Sequence, residues 1–561
     1  MTSFEYFANT CASIEQIPGS LEMTDVIAKL LKEVTIEELP VVTHFVMGSV
    51  FPAWSDRQMG VGNRLLYTAL SKSSGVSEEE IENIIRKTGD IGETAVQALS
   101  SNPAGQSTFS AFTEEKPGME IKEVYERFTH IADTAGKRSQ GTKIKNLQYL
   151  FNSATPIEAR YLARLAIEQL RIGVGEGIVR DAISKAFETD VATVERAFML
   201  TNDLGLVAVA ACNGGNEEVQ KLDIQLNRPV KMMLAQVTPS IQSALNDLGE
   251  VAVEWKFDGA RVQIHKEGDN IHIFSRRLEN VTSSLPDVVE AVQKNVNADT
   301  AILEGEAVAI GEDGKPRAFQ DILKRFRRKY EVEAIAKAIP LKLNLFDVLY
   351  LNGESLIDNP LRKRRELLFQ NVQSSDRILV DRQIITDNEE EIQEIYADAL
   401  SAGHEGIMIK KPDAPYSPGK RGKNWLKKKP LMETLDLVVI GAEWGYGRRA
   451  NLIGSYALGC YDPDTGKFPA IGKVATGITD EKLAELTTLF SDLIVYEAGR
   501  KIELKPEIVF EIAFEEIQKS PNYESGYALR FPRLVNVRDD KSPEEAESLE
   551  RIGEIYHSQR S

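Results

Sequence analysis

The stretch Glu254–Gln263, EWKFDGARVQ, places charged residues in a run that otherwise has the composition of a β-strand. Alternate residues of a strand project to one face, so Glu254, Lys256 and Asp258 are predicted to lie together. A glycine that can end the strand follows, and then Arg261. Solvated edge charges would also explain the pattern, although K-x-D-G should occur by chance only on the order of 0.1 times in such a chain. The stretch alone therefore indicates a functional site with moderate specificity.

Length and composition indicate a multidomain globular protein. The chain has 561 residues, of which 42% are hydrophobic and 27% are charged. This is too long for one hydrophobic core, so we expect about three or four domains. No apolar run approaches the ~20 residues that span a bilayer, and the first residues have no basic region followed by an apolar stretch. We therefore expect a cytoplasmic protein that does not contact membranes.

The formal net charge of −18 argues against a chain that coats nucleic acid by bulk charge. Basic residues are nevertheless concentrated in three stretches, residues 315–330, 361–365 and 419–430. Each is either a local basic surface or a solvated helix face. Cysteines lie far apart in the sequence, at Cys11, Cys212 and Cys460. Neither structural zinc nor a disulfide framework is expected from that spacing.

Residues 1–229 have the pattern of an all-α region. Three sequences have the capping-box form in which a hydroxyl and a carboxylate satisfy backbone donors: Thr35–Glu38, Ser77–Glu80 and Thr155–Glu158. The third is predicted to start a helix that ends at Gly173 as a left-handed cap.

The hydrophobic period changes to two after residue 229. Residues 230–430 contain short β-rich runs separated by glycine and asparagine turns, which predicts a mixed α and β domain. Residues 431–561 contain strand runs spaced like a small barrel. Residues 542–553 are predicted to close the chain as a capped helix.

Six further motifs follow the opening stretch in order. They are SRRLEN at 275–280, EGEAVA at 304–309, LFDVLYLNGESL at 345–356, EGIMIKK at 405–411, NWLKKKP at 424–430 and RFPRLVNVRDDK at 530–541. Together with KFDGAR at 256–261 they resemble the covalent nucleotidyltransferases, the superfamily of ATP-dependent DNA ligases, RNA ligases and mRNA capping enzymes. With its helical part, the whole chain resembles the archaeal and eukaryotic replicative type of ATP-dependent DNA ligase.

The resemblance implies a three-domain architecture. An all-α DNA-binding domain is expected over residues 1–229, and an α+β nucleotidyltransferase (adenylation) domain with antiparallel sheets over 230–430. A C-terminal OB-fold β-barrel is expected over 431–561. The resemblance also implies ATP as the nucleotide, Mg²⁺ as the metal with Mn²⁺ as an alternative, and nicked double-stranded DNA as the partner. A monomer is expected, and a sliding clamp is a further partner that the family suggests.

The implied chemistry is covalent catalysis in DNA replication, repair and recombination. In the family the motif lysine, here Lys256, attacks the α-phosphate of ATP, AMP moves to the 5′-phosphate of a nick, and the 3′-hydroxyl displaces it. A lysine of reference pKa ~10.4 is only about 0.1% neutral near pH 7.5, so the site has to favour the neutral amine. Asp258 is a candidate to orient that amine or a metal-bound water.

Other site residues are carried over from the matching motifs. The residues expected to bind the nucleotide are Glu254, Arg261, Arg276, Glu306, Phe346, Arg421, Lys427, Lys429 and Arg533. Glu306 and Glu405 are expected to organise the metal, and Phe346 to stack on adenine. Lys427 and Lys429 alternate on one strand face, with Lys428 directed away from them.

Contacts to DNA are expected from basic residues and glycines of the helical part. The candidates are Lys143, Lys145 and Gly175, together with Arg276 of the SRRLEN motif. Three alternatives stay open: an NAD-dependent or dual-nucleotide DNA ligase, an RNA ligase or capping enzyme, and an inert DNA clamp or scaffold. Scattered cysteines argue against the zinc module of the NAD enzymes. The intact lysines and glutamates of the motifs argue against an inert scaffold.

Overall fold

The computed structural model describes residues 2–100, 118–136, 139–311, 314–317, 319–326, 332–430, 433–446 and 449–559. The chain divides into two units, Met1–Lys429 and Pro430–Ser561. The helices that precede the first strand are α1 (Phe4–Glu15), α2 (Ser20–Glu33), α3 (Leu39–Val46), α4 (Asn63–Ser74), α5 (Glu78–Thr88), α6 (Ile91–Ser100), α7 (Ile121–Asp133), α8 (Ser139–Ser153), α9 (Pro156–Ala166), α10 (Glu176–Phe187), α11 (Val191–Thr201) and α12 (Leu204–Gln220).

Helix starts follow the capping chemistry that the sequence predicts. At α9 the Thr155 hydroxyl and the Glu158 carboxylate form the complete reciprocal capping box, with Pro156 in the first turn. Ser77 accepts a hydrogen bond from the Glu80 backbone N–H and caps α5. Thr35 and Glu38 form the same reciprocal bonds, but in the turn before α3.

The predicted end of α9 at Gly173 is wrong, because the helix stops at Ala166. Glu168 and Arg171 have positive φ values of 53° and 60°, so the chain turns back instead of continuing. The turn still buries Leu170 and Ile172. The apolar residues that suggested a longer helix therefore reach the core through a loop.

The helical part contains two copies of one arrangement, α1–α6 and α7–α12. Two segments, α4 to α6 and α10 to α12, have the same features in the same order. Each has a Gly-Val-Gly sequence, two left-handed helix ends and an aspartate N-cap, and equivalent residues are always the same number of positions apart in the chain. The equivalent pairs are Gly62 and Gly175, Gly75 and Glu188, Gly89 and Asn202, Asp90 and Asp203, and Gly92 and Gly205. Ser3 precedes α1 and Glu120 precedes α7, and these two residues form an antiparallel backbone bridge.

The two copies exchange equivalent contacts. Arg164 of α9 donates from Nε to Oδ1 of Asp90 at 3.1 Å, while Nε2 of His44 in α3 lies 3.0 Å from Oδ1 of Asp203. Gly92 packs against α9 and Gly205 packs against α3 so closely that a β-carbon would overlap the neighbouring helix. This reciprocity indicates an internal duplication related by an approximate twofold axis.

Two sheets form the rest of the first unit. Their strands are β1 (Gln236–Val237), β2 (Val251–Lys256), β3 (Ala260–Glu267), β4 (Asn270–Ser275), β5 (Thr300–Ala309), β6 (Leu341–Leu351), β7 (Glu354–Ser355), β8 (Ile378–Val380), β9 (Gln383–Thr386), β10 (Gly406–Lys410) and β11 (Trp425–Lys428). The helices between them are α13 (Ile241–Leu248), α14 (Pro286–Asn295), α15 (Phe319–Phe326), α16 (Val332–Ala338), α17 (Leu361–Asn371) and α18 (Glu389–Ser401).

The sheets are mainly, but not purely, antiparallel. One has the order β1-β11-β10-β2-β9, and the other has β4-β3-β5-β6-β7 with β8 on β6. The prediction of antiparallel sheets needs correction at two edges, because β1 pairs with β11 and β8 pairs with β6 in parallel.

The faces of the two sheets divide apolar from polar residues. Val253 and Trp255 pack outward against α13 and α18, which confirms the predicted alternation along β2. Between the sheets, Phe346 of β6 and Trp425 of β11 share one apolar cluster. Glu254 and Lys256 belong to the same inward face of β2.

The second unit consists of β12 (Glu433–Trp444), β13 (Ile453–Gly459), β14 (Ala470–Val474), β15 (Ile494–Ala498), β16 (Lys501–Leu504), β17 (Val509–Phe514), β18 (Glu516–Lys519), β19 (Tyr527–Arg530) and β20 (Arg533–Arg538), with α19 (Asp480–Ser491) and α20 (Leu549–Ser558). The main sheet has the order β14-β13-β12-β16-β15, with β17 joining β12 to β20; β18 and β19 pair separately. These ladders of the described residues do not close into a barrel. Ser542 caps a short 3₁₀ turn, and the last helix starts only after Ser548, later than predicted.

No helix in the described ranges is long and apolar enough to cross a membrane.

We predict that Gly92→Ala destabilises the protein by about 1–3 kcal/mol, because the new methyl group would lie 2.8 Å from the Arg160 carbonyl oxygen in the facing helix. The matched control is Gly141→Ala, in the first turn of α8, where nothing lies within 4 Å of the added β-carbon. That change should stabilise the helix by up to ~1 kcal/mol. Denaturant unfolding of both variants measures the difference. Equal stabilities of Gly92→Ala and the parent protein would refute the exchanged packing.

Candidate active site

Backbone geometry at the start of β10 brings Glu405 to Lys256. Gly406 lies opposite Lys256 in the antiparallel register, and the backbone N–H of Glu405 donates to the Lys256 carbonyl at 2.9 Å. The φ of Gly406 is +131°, and a β-carbon there would overlap the Lys428 carbonyl oxygen. Glycine is therefore required at this position, and it lets three strands approach where the charged side chains meet.

Glu405 holds two ammonium groups on one carboxylate oxygen. Its Oε2 lies 2.5 Å from Lys256 Nζ and 2.6 Å from Lys429 Nζ. Burial alone would raise the pKa of Glu405, but Lys256 and Lys429 hold it well below its usual range. Side-chain exposures of 21% for Lys256 and 19% for Glu405 leave the pair accessible to a ligand.

Glu306 is the second carboxylate of the cluster. It is the register partner of Arg261 between β5 and β3, and Gly259 packs directly against its side chain. Burial raises the pKa of Glu306 to about 7; Lys256 and Arg261 oppose the rise, while Glu405 and Asp258 add to it. Glu306 is therefore a carboxylate whose charge is incompletely compensated by the protein.

Lys427 lies in a region of excess positive charge. Burial lowers its pKa, and Lys429, Lys256 and Arg421 lower it further. No ion pair joins Lys427 to any residue in the described part of the chain. Lys428 lies between the two site lysines in sequence but donates to the Pro239 carbonyl at 2.8 Å. Lys427 and Lys429 are thus brought to the cluster, and a polyanion is the ligand that this charge favours.

Glu254 lies deeper on the same strand face. Its Oε2 lies 2.5 Å from Lys410 Nζ, and its Oε1 accepts a hydrogen bond from Gln383 at 2.7 Å. Side chains of both Glu254 and Lys410 are only 2% exposed. The Lys410 ammonium also lies 4.6 Å from the centroid of the Phe346 ring. Phe346 is itself buried, so the predicted adenine platform is covered in this conformation.

Arg261 is anchored by the protein through both terminal nitrogens. Nη1 donates to the Met233 carbonyl at 2.6 Å, and Nη2 donates to Oε2 of Glu304 at 2.7 Å. Its Nε is buried and has no hydrogen-bond acceptor among the described residues. Nε is therefore the guanidinium nitrogen that has no acceptor in the described part of the protein and can donate to a ligand.

The other predicted residues differ in exposure. Arg276 is exposed in the turn after β4, and Arg421 is exposed before β11 with its carbonyl bonded to Gln236. Asp258 is half-buried in the turn after β2. Arg533 is exposed on β20 of the second unit.

The predicted DNA-binding residues differ in accessibility. Lys143 is buried, and its ammonium group donates to the Met59 carbonyl at 2.8 Å, so it supports the loop before α4 from inside. Lys145 is exposed. Gly175 is exposed at the start of α10, and no side chain caps that helix.

Sequence reasoning missed Glu304, Gln383 and Tyr416, whose partners become adjacent only in the folded sheets. It also missed the loop at Gly60–Gly62, although the second Gly-Val-Gly at 173–175 was a sequence signal for it.

Carboxylate oxygens of Glu306 and Glu405 suit a hard divalent cation. Among the described residues no group of three or more His, Cys, Asp or Glu side chains is arranged to hold a metal ion.

Comparison with known proteins identifies the family. Residues 3–184 match "DNA ligase N terminus", residues 232–429 match "ATP dependent DNA ligase domain" and residues 449–541 match "ATP dependent DNA ligase C terminal region". The chain is 67% identical to the DNA ligase of Methanococcoides burtonii, with 100% of both chains covered. It is 51% identical to the DNA ligase of Archaeoglobus fulgidus, with 99% of both chains covered.

The chain therefore belongs to the ATP-dependent DNA ligase family, which confirms the resemblance drawn from the motifs. It is an enzyme of the ligase class, and the alternatives are not favoured. A solved structure named Pmar-Lig_PreS3 covers 95% of this chain and 99% of its own, with a TM-score of 0.56 at 17% identity, a likeness that shows the fold alone.

Proposed function

We propose that Lys256 takes AMP from ATP and passes it to the 5′-phosphate of a nick in duplex DNA, where the 3′-hydroxyl then displaces it. The observation that carries this proposal is the pair of lysines, Lys256 and Lys429, that share one oxygen of Glu405. A reactive amine, a phosphate-binding lysine and a carboxylate are thereby assembled at one point. A protein that only binds DNA has no need for this arrangement.

The first step requires Lys256 Nζ to leave Glu405 and to lose one proton to solvent, since an ammonium nitrogen has no lone pair for attack. The lone pair then forms a bond to the α-phosphorus, and the bond to pyrophosphate breaks. Lys427 and Lys429 stabilise the negative charge that spreads over the phosphate oxygens in this in-line transfer. In the later steps the same lysines stay beside the adenylate phosphate.

Glu306 and Glu405 fit a divalent cation, here Mg²⁺ with Mn²⁺ as an alternative. Burial keeps the pKa of Glu306 raised despite Lys256 and Arg261, which supports this carboxylate as one that a further cation would stabilise in its charged form. When bound, the ion supplies positive charge next to the α-phosphate. Asp258, whose charge acts on Glu306, is the residue we assign to orienting the amine or a metal-bound water.

The nucleoside is assigned to the inner end of the same face. Glu254 and Arg261 supply polar groups there, and Phe346 supplies an aromatic ring for the adenine. Because Phe346 is buried against Arg261 and Lys410, with the guanidinium 5.3 Å from the ring centroid, adenine can stack only after these side chains shift. Arg276, Arg421 and Arg533 are assigned to phosphate groups of the nucleotide or of DNA.

DNA contacts are assigned to the two equivalent loops of the helical part, at Gly60–Gly62 and Gly173–Gly175, together with Lys145. Each loop leads into a helix whose first N–H groups lack a side-chain cap. Backbone N–H groups bind phosphates without reading base sequence, which suits an enzyme that must act at any nick. Two loops related by a twofold axis match the antiparallel backbones of a duplex. Lys143 is assigned an indirect role in DNA binding, because its ammonium group holds the loop at Gly60–Gly62 in place through the Met59 carbonyl.

Domain bounds of 1–229, 230–430 and 431–561, and an OB-fold for the last domain, are part of the proposal. The ladders of β12, β13, β14, β16, β17 and β20 support a small β domain there. Limited proteolysis near residues 230 and 430 checks the bounds. A monomeric state, a sliding-clamp partner and a cytoplasmic location stay predictions from the sequence.

We predict that incubation with Mg²⁺ and ATP adds one AMP to the protein at Lys256. Lys256→Ala should abolish the adduct, because it removes the nucleophile while Lys427 and Lys429 stay assigned to the phosphate oxygens. Intact-mass and peptide mass spectrometry measure the adduct. Lys428→Ala is the matched control, since Lys428 donates to Pro239 outside the cluster and should keep full labelling. An adduct that persists in Lys256→Ala would overturn the proposal.

We predict that metal affinity rises with pH as Glu306 loses its proton. With a pKa near 7, Glu306 is mostly protonated at pH 6 and mostly charged at pH 8, whereas Glu405 is charged at both. Between these values the dissociation constant for Mn²⁺, followed by the electron paramagnetic resonance of the free ion, should fall by about tenfold. Glu306→Gln should bind more weakly and lose the pH dependence. Equal affinity of the parent protein at pH 6 and pH 8 would contradict the assignment.

We predict that Gly62→Asp and Gly175→Asp each weaken binding to nicked DNA by about tenfold in 0.1 M salt, because the carboxylate repels phosphate. Nothing lies within 4 Å of a β-carbon at either position, and Asp is a favourable N-cap, so stability should not fall. Gly62→Ser and Gly175→Ser provide neutral caps of similar size and should bind within about threefold of the parent protein. Fluorescence anisotropy measures the affinities. Parent-like binding by both Asp variants would exclude the loops as DNA contacts.

A further inference from the structure

A closed ring of hydrogen bonds surrounds the Arg261 guanidinium. Arg261 donates to the Met233 carbonyl and to Glu304, as described above. The Met233 backbone N–H donates to the Tyr416 hydroxyl at 2.7 Å, and that hydroxyl donates to Oε2 of Glu304 at 2.9 Å. Tyr416 thus links the backbone that holds one end of the guanidinium to the carboxylate that holds the other.

The Tyr416 hydroxyl uses its full hydrogen-bonding capacity in this ring. A phenol has one donor and two acceptor positions, and Arg261 Nη2 supplies the third contact at 3.3 Å. Tyr416 is 2% exposed and the Glu304 side chain is fully buried. In such surroundings every broken bond leaves a group without water to replace its partner, so the ring is rigid when complete.

The ring determines which donor of Arg261 is available. Both Nη atoms face protein acceptors, while Nε is buried with no acceptor in the described part of the chain. A buried N–H without an acceptor is unfavourable, because it has lost its hydrogen bond to water and gained none from the protein. A ligand oxygen that accepted from Nε would remove that cost.

We propose that Tyr416 is a positioning residue for nucleotide binding: by joining Met233 to Glu304 it keeps both Nη atoms on the protein and presents Nε to an oxygen of the nucleotide. The inference rests on the proposed function, which assigns Arg261 to the nucleotide. Tyr416 lies between the EGIMIKK and NWLKKKP motifs and belongs to neither.

A purely structural role makes a different prediction. The Tyr416 ring packs edge-on against Trp425, with centroids 5.8 Å apart, inside the cluster between the sheets. If packing were its whole role, removing the hydroxyl would lower stability and leave the apparent affinity for ATP unchanged. The KM for ATP therefore separates the two roles.

The test measures steady-state sealing of nicked DNA by the full-length protein at varied ATP. Tyr416→Phe keeps the ring, and we expect KM for ATP to rise about tenfold with kcat within about threefold. Arg261→Lys cannot form the two-pronged contact that Tyr416 is proposed to position. Adding Tyr416→Phe to Arg261→Lys should therefore raise KM for ATP by less than a further twofold. Tyr456→Phe is the matched control, because it removes a buried hydroxyl that finds no hydrogen-bond partner among the described residues, and its KM should stay unchanged.

Three outcomes overturn the positioning role. The first is a folded Tyr416→Phe protein with the parent KM, and the second is a double variant of Tyr416 and Arg261 in which the two separate increases in KM multiply. The third is a Tyr456→Phe protein whose KM is raised as much as that of Tyr416→Phe. An Arg261→Lys protein with the parent KM removes the nucleotide role of Arg261 and this inference together. If Tyr416→Phe fails to fold, Glu304→Gln tests the same ring from its other side. It should raise KM and show the same non-additivity with Arg261→Lys, and a parent KM there also overturns the role.

Discussion

The site depends on the Glu405 carboxylate, which keeps three lysines within one small volume. Lys256 and Lys429 share one of its oxygens, and their remaining positive field still lowers the pKa of Lys427. A triphosphate carries more negative charge than one carboxylate and competes for the same ammonium groups. On the proposed assignment, binding of the triphosphate and release of Lys256 from Glu405 are one exchange of counter-ions. The glycine at 406 makes the exchange possible, because a side chain there would push β10 away from β11.

Three other pairs of buried charges between and beneath the sheets are matched within the protein. Arg364 and Asp347 form a fully buried two-pronged pair, and Arg261 with Glu304 and Lys410 with Glu254 are paired at comparable depth. These pairs satisfy the rule that buried ions need partners. Glu306 and Lys427 depart from it, each with a pKa displaced toward the neutral form. Such unmatched groups mark the place where an external ligand completes the charge balance.

Local signals made much of this architecture predictable from sequence. The strand alternation through Lys256, the capping box at Thr155 and the separation of Lys428 from its two neighbours all depend on residues close in the chain. The end of α9, the parallel edge strands and the Tyr416 ring depend instead on contacts between distant segments. The apolar spacing that suggested a helix to Gly173 is equally satisfied by a turn with left-handed residues at Glu168 and Arg171. Periodicity reports which residues are buried, and it does not report how the backbone buries them.

The duplication in the helical part has a consequence for its folding. Asp90 of one copy is buried with Arg164 of the other, and Asp203 is buried with His44 in the opposite direction. A separated copy would expose the apolar faces of α3 or α9 and leave these charged groups without their partners. Each copy therefore needs the other to bury its inner surface, much as a repeat needs its neighbour. The exchange also fixes the two Gly-Val-Gly loops relative to each other through packed helices, so their spacing is a rigid property of the fold. If the loops contact DNA as proposed, this fixed spacing suits a duplex, whose two backbones also have a fixed separation.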